Sequence, residues 1–397
     1  MKTLSVPGVR LAAVESGIRY ANRLDLVLIE LAEGSESAGV FTLNAFCAAP
    51  VTIARRHLNA VSPRYFLINT GNANAGTGEA GIRDALASCD AVARECGVAI
   101  EQVLPFSTGV IGEPLPVAKI IAGIPAACEA LNAESFDAAS RGIMTTDTRP
   151  KLVSRQVSID GEIVTIAGFA KGAGMIKPNM ATMLSYVFTD AELSKATLDR
   201  LLREQVNKSF NRITVDGDTS TNDCCLLTAT AASSARVEDD EGTCDPLFEQ
   251  GLAEVFRELA IAVIRDAEGA TKFVTVEVSG GKDSEECLKV GYTVAESPLV
   301  KTALFASDPN WGRILMAIGR AGLDDLDIDT VGVKLGDTPI VSNGCRDAAY
   351  TEELGQAEMD KTDIVIAIDL ARGNHTETLF TSDLSHDYVS INADYRS

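Results

Sequence analysis

Lys171, Lys177, Pro178, Asn179 and Thr182 fall within FAKGAGMIKPNMATMLSYVFTDA, residues 169 to 191, whose residue types support covalent chemistry at a threonine. Pro178 fixes its own φ and drives Lys177 out of the helical region, so the backbone ahead of Ala181 and Thr182 is expected to form a rigid, non-helical turn. Such a turn can concentrate strain on one peptide bond. Attack of the Thr182 hydroxyl on the Ala181 carbonyl would shift the acyl group from nitrogen to oxygen, and hydrolysis of that ester would split the chain. The freed α-amine of Thr182 could then serve as base for its own hydroxyl, a known arrangement in covalent catalysis. On residue types alone, a tight αβ or ββ turn has the stronger claim.

Other chemical patterns are weaker. Residues 76 to 81, GTGEAG, spell G-x-G-x-x-G between a strand and a helix. Five residues separate the expected strand from the first glycine, and no acidic residue ends a second strand about 20 residues on, so a glycine-rich turn is favoured over a dinucleotide site. DGDTSTND places Asp216, Asp218, Ser220 and Asn222 at alternate positions, but the glycine and glutamate that an EF-hand loop requires are replaced by Thr221 and Leu227; a self-bonded polar turn is expected. His57, His375 and His386 lie in no catalytic motif, and Cys224 and Cys225 read as buried small hydrophobes.

Short strands alternating with amphipathic helices must position these residues, giving a mixed α/β chain. YFLINT, 65 to 70, reads as a strand, followed by a helix over 82 to 96 that Gly97 ends. Thr189 and Glu192 have capping-box spacing ahead of a helix carrying Leu193, Leu198, Leu201, Leu202 and Val206. A further helix is expected over 245 to 266, then an alternating strand at KFVTVEVSG, with VGVKLG and DIVIAIDLARG making the C-terminal part rich in strands.

The 397 residues are 46% hydrophobic and 23% charged, a globular profile, with a net charge of −21 that disfavours nucleic-acid and anionic membrane partners. Nine cysteines without a C-x-x-C pair fit neither a disulfide framework nor structural zinc, so a reduced, cytoplasmic setting is expected, with no metal. Arg10 and Glu15 interrupt the apolar stretch that a signal peptide would need, and no run of 18 apolar residues follows.

KGAGMIKPNMATML closely resembles the cleavage-site signature of the ornithine acetyltransferase (glutamate N-acetyltransferase, ArgJ) family. NTGNANAGTG (69 to 78), FSTGVIGEPLP (106 to 116), GIMTTDTRPK (142 to 151), SFNRITVDGDTSTND (209 to 223), AEGATKF (267 to 273), SDPNWGRI (307 to 314) and the terminal INADYRS extend the similarity over the whole chain. The resemblance implies an α/β, N-terminal-nucleophile-like fold of layered sheets with outer helices, built from two self-cleaved chains. These would be an α chain, 1–181, and a β chain, 182–397, assembled as two of each. It implies Thr182 as nucleophile, taking the acetyl group of N2-acetylornithine and passing it to glutamate in cyclic arginine biosynthesis. Thr108 and Gly109 would form the oxyanion hole, and Thr145, Lys171, Thr182, Glu268, Asn392 and Ser397 would bind substrate. Whether Thr145 or Thr146 makes its contact stays open, as does acetyl-CoA as a second donor; no bound cofactor is expected. An autoprocessed aminopeptidase or amidase using the same threonine is the rival chemistry. Divided at Ala181–Thr182, the charge is −1 for the first chain and −20 for the second, which favours zwitterionic amino acids over polyanionic acetyl-CoA.

Overall fold

The computed structural model describes residues 4–177 and 183–394. The chain divides into two compact units, Met1–Asn211 with Thr219–Val263, and Arg212–Asp218 with Ile264–Ser397.

Among the described residues, the first unit contains nine strands: β1 Val9–Val14, β2 Leu26–Leu31, β3 Glu36–Phe41, β4 Tyr65–Asn72, β5 Val103–Val110, β6 Lys151–Ile159, β7 Glu162–Lys171, β8 Leu184–Thr189 and β9 Cys224–Ala229. They form two sheets, β1-β2-β4-β5 and β3-β9-β8-β7-β6. One face of each sheet meets the other in a shared core, with Val27, Ile29, Phe66, Ile68 and Phe106 from the first and Phe169, Leu184, Tyr186, Phe188 and Leu226 from the second. Tyr186 sits among aromatic rings, with centroids 5.3 Å from Phe106 and 5.5 Å from Phe169. Behind the first sheet, Leu28, Leu67 and Val103 pack on Ala85, Cys89 and Val92 of one helix and Ile120 and Ile124 of another. Helices Lys195–Lys208 and Pro246–Arg265 follow β8 and β9 in the chain. The first packs on β3 and β9. In the second, Leu259 reaches Gly168 of β7 closely enough that a Cβ there would lie 3.2 Å away. The result is an α/β unit of two sheet layers with helices outside, as expected.

Strand identity follows from double-sided burial. Every residue of β8 and of β9 is buried, so LSYVFT and CCLLTA carry continuous rather than alternating apolar character. The helix expected after YVFTDAEL runs from Lys195, and its cap is Ser194, whose hydroxyl accepts from Thr197 N at 3.2 Å. Thr189 instead ends β8, so the capping-box expectation at Thr189 and Glu192 is corrected: the sheet ladder takes the threonine before a helix can start. Gly97 ends the earlier helix at φ 69°, as its position predicts.

The second unit holds β10 Phe273–Gly281, β11 Gly332–Leu335, β12 Thr338–Ser342, β13 Cys345–Arg346, β14 Asp363–Asp369 and β15 His375–Ser382, in the order β13-β12-β11-β14-β10-β15. Helices Ser284–Ala295, Pro298–Phe305 and Trp311–Gly319 contribute Val290, Val294, Val300, Leu304 and Ile314 to its core. The expected strands at KFVTVEVSG, VGVKLG and DIVIAIDLARG are β10, β11 and β14.

Candidate active site

β4 and β5 run parallel with Thr70 opposite Thr108 and Gly71 opposite Gly109, so the loops NTGNANAGTG and STGVIG leave one end of this pair together. Carboxyl ends of parallel strands are where open α/β sheets place ligands. Gly109 adopts φ +135°, and a Cβ on it would lie 2.3 Å from the Gly71 carbonyl carbon. Only glycine fits this approach, which leaves the Gly109 backbone uncovered by a side chain.

Thr108 is buried in β5, while Lys171 ends β7 in the facing sheet. The Lys171 ammonium donates to Thr108 Oγ1 at 3.0 Å and to Thr145 Oγ1 at 3.2 Å. Three residues from separate segments therefore meet at one cation. Of the adjacent threonines, Thr145 bonds Lys171. Donation into a Thr108 lone pair leaves the hydroxyl hydrogen of Thr108 to be directed at another acceptor.

Two buried carboxyl groups attend this cluster, and neither was singled out in the sequence. Burial by itself would raise the Asp147 carboxyl, but the Lys151 and Lys171 cations outweigh it and bring the value down to about 2. Burial pushes Asp223 well above the ordinary carboxylate range despite the pull of Lys171, and its Oδ2 has no hydrogen-bond partner among the described residues. The preceding Asn222 ties its turn to β5, with Nδ2 donating to Ser107 O at 2.9 Å and to Ala73 O at 2.6 Å. Membership of Asp147 in the motif stretch 142 to 151 and of Asp223 in the stretch 209 to 223 was the signal that could have found them.

In the second unit, Glu268 is buried and accepts from Asn392 Nδ2 at 2.7 Å. The approach is built by Gly269, at φ +66°, where a Cβ would come within 2.7 Å of Ser385 Oγ and of Tyr388 N in the turn and helix that lead to Asn392. Asp383 holds the neighbouring segment, accepting from Thr271 N at 2.8 Å and Lys272 N at 3.0 Å. Ala181, Thr182 and Ser397 lie outside the described residues.

The other motifs resolve as structure. At GTGEAG, Thr77 Oγ1 donates to Asn74 Oδ1 at 2.8 Å, and a Cβ on Gly81 would lie 1.9 Å from Thr77 Oγ1. The helix start is thus closed by its own side chains, as the turn reading expects. Asp218 N donates to Asp216 Oδ1 and Asn222 N to Ser220 Oγ, both at 3.2 Å, so DGDTSTND is a run of self-bonded turns. His57 is buried with Nδ1 2.8 Å from Val103 O, and Cys224 and Cys225 are buried. Among the described residues, no helix is long and apolar enough to cross a membrane.

The model of the ArgJ family matches residues 10–397. The chain belongs to the ArgJ family. It is 55% identical over 393 residues to the arginine biosynthesis bifunctional protein ArgJ of Pseudomonas syringae pv. tomato, covering 99% of this chain and 97% of that one. It is 56% identical over 394 residues to the protein of that name from Pseudomonas fluorescens, with the same coverage. The crystal structure of arginine biosynthesis bifunctional protein argJ from Bacillus halodurans matches 53% of this chain and 99% of its own, with 36% identity and a TM-score of 0.50. The ArgJ fold expected from the motifs is the fold observed, and ArgJ membership makes the chain an acetyltransferase of arginine biosynthesis acting on small molecules.

Proposed function

We propose that the chain cleaves itself between Ala181 and Thr182 and then moves acetyl groups from N2-acetylornithine to glutamate through an acetyl ester on Thr182. The observation that carries this reading is the Lys171 ammonium bonded to both Thr108 and Thr145. In the first half reaction, the Thr182 hydroxyl adds to the acetyl carbonyl with its proton taken by the Thr182 α-amine. The resulting oxyanion is met by the Thr108 hydroxyl and the Gly109 N–H, the C–N bond breaks, and the proton passes to the leaving α-amine of ornithine. Glutamate reverses the sequence with its own α-amine and regenerates the free threonine. Each oxyanion donor in such a site contributes about 3 to 4 kcal/mol to transition-state binding. Donor and acceptor share an α-amino-acid head group, so one set of residues serves both: Thr145, Lys171, Thr182, Glu268, Asn392 and Ser397.

Cleavage divides the sequence into an α chain, 1–181, and a β chain, 182–397, assembling as two of each in the cytoplasm without a bound cofactor or metal. The Bacillus halodurans chain is about half as long as this one, which supports processing into two chains. Acetyl-CoA is the second acetyl donor, a reading supported by the word bifunctional in the relatives' names and opposed by the acidity of residues 182–397.

Intact mass of purified protein is expected to give two chains, starting at Met1 and Thr182, and the processed protein to make acetylglutamate from N2-acetylornithine and glutamate. An uncut, fully active protein would remove the shared-nucleophile mechanism. Hydrolysis of N2-acetylornithine unaffected by glutamate would favour the amidase chemistry. Acetylglutamate formation from acetyl-CoA in the same preparation decides the second donor.

A further inference from the structure

One carboxylate joins two of the segments that carry the Lys171 cluster, the Thr145 loop and the exit of β7, to the start of β6. Asp147 Oδ1 accepts from Gly172 N at 2.7 Å and from Lys151 Nζ at 2.5 Å, and Oδ2 accepts from Thr145 N at 3.0 Å. The side chains of Asp147 and Lys151 are 0% and 1% exposed. Gly172 follows Lys171 at the exit of β7, Lys151 opens β6, and Thr145 is itself a partner of Lys171.

A buried ion pair is no requirement of stability, because hydrophobic replacement of both members is often neutral or favourable. The feature that an isolated pair would not need is the direction of the two remaining bonds. Both go to backbone N–H groups, one in Thr145 and one immediately after Lys171. They tie the backbone at the two ends of the Lys171–Thr145 bond to a common point, and the Asp147 charge attracts the Lys171 ammonium.

We propose that Asp147 is a positioning residue for acetyl transfer: it holds the Thr145 loop and the exit of β7 in one register, and so fixes the Lys171 ammonium where it orients the Thr108 hydroxyl. The inference rests on the transfer mechanism above, with Thr108 as an oxyanion donor. Asp147 touches no reacting atom and acts through Lys171 and Thr145.

Asp147→Asn alone would leave the Lys151 ammonium buried without its counterion, so the informative protein is the double variant Asp147→Asn/Lys151→Met. It is expected to fold with a thermal midpoint several degrees below wild type, since the Asn amide offers one acceptor where two backbone N–H groups donate, while kcat, normalised to cleaved chain, falls at least about 100-fold, the scale of losing one oriented oxyanion donor. Adding Thr108→Ala should then cost less than about 10-fold further, against about 100-fold or more in wild type, because the two act as one unit. A double variant that folds but stays uncut supports the proposal, since the same threonine serves scission and transfer. A kcat within about threefold of wild type, or a full Thr108→Ala cost in the double background, overturns it. If the double variant does not fold, Asp147→Glu, which keeps the charge and displaces the acceptors by one methylene, is read by the same criteria. Wild-type protein without acetyl transfer would instead overturn the mechanism itself, whereas active wild type with an unaffected double variant removes only the role of Asp147.

Discussion

Replacing Gly109 by alanine tests, through the backbone, the strand pair proposed to carry the oxyanion hole. A Cβ at 109 would sit 2.3 Å from the Gly71 carbonyl carbon, 2.5 Å from Asn72 N and 2.7 Å from Gly71 Cα. All three are backbone atoms of β4, and ordinary carbon contacts are about 3.5 to 4.0 Å, so no rotamer change can relieve the overlap. The parallel pair must open by roughly 1 Å at Gly71 and Gly109, or φ must leave +135°. Overpacking of this kind costs about 1 to 3 kcal/mol, and holding alanine at a glycine conformation adds about 1 to 3 kcal/mol. At about 2 to 4 °C per kcal/mol for a unit of this size, the thermal midpoint should fall by roughly 4 to 24 °C. The measurement is a calorimetric melt on a Thr182→Ala background, so that both proteins are uncut. Thr108→Ala on that background removes a side chain without a backbone clash and should shift the midpoint by far less. Equal midpoints for Gly109→Ala and its parent would refute the close approach of β4 to β5 on which the Gly109 assignment depends.

The remaining predictions concern buried charge. Asp147 is at about 2 in the folded protein against an ordinary 3.8, so above pH 4 its ionised form stabilises the fold by about 2 kcal/mol, a contribution lost as pH falls toward 2. Acid titration of stability in Asp147→Asn/Lys151→Met should lack that limb, and an unchanged limb would count against the ionised pair. Lys301 is buried, with Nζ donating to Thr381 Oγ1 at 3.0 Å; burial brings it down to about 8 against the attraction of Asp383, Asp216 and Glu296. Between pH 8 and 10.5 the unfolded chain then binds more protons at this position than the folded one, so stability due to Lys301 rises with pH across that window, by up to about 3 kcal/mol. Lys301→Met should flatten the difference, and denaturant melts at pH 7 and pH 10 that show the same change in both proteins would refute the assignment.

Elements with one buried face were legible because their periodicity survives in sequence. Helix Pro246–Arg265 lies within one residue of the expected span at either end, and β10 alternates as read. β8 and β9 carry no alternation, since both faces are buried, and within β9 only Cys224 and Cys225 stood out, as buried small hydrophobes. Local chemistry also misled where a sheet competed with it: Thr189 has the residue type of a helix cap but belongs to the β7–β8 ladder, opposite Ile166. In the site, Thr108, Lys171 and Thr145 were named through motifs, and the cation that unites them is a geometric finding. Asp147 stands inside the quoted GIMTTDTRPK, four residues before Lys151, a spacing that hints at a pair. Its bond to Gly172 N crosses 25 positions, and no local pattern encodes it.

The position of the proposed scission explains how two chains could remain one enzyme. Lys171 ends β7 opposite Leu184, which begins β8, and β8 is paired on its other side with β9, from Leu184 opposite Cys224 to Thr189 opposite Ala229. Thr182 is joined through Met183 to a strand with a neighbour on each side, and Met183 O accepts from Cys224 N at 2.9 Å. Breaking the bond before Thr182 removes none of these ladder bonds and leaves Leu184, Tyr186 and Phe188 in the core shared with Phe66 and Phe106. The new α-amine would therefore stand two residues before Leu184, ahead of a strand constrained by pairing on both sides. A nucleophile that must supply its own base needs that constraint, because freedom about the first residue would let the amine turn away from the hydroxyl it serves.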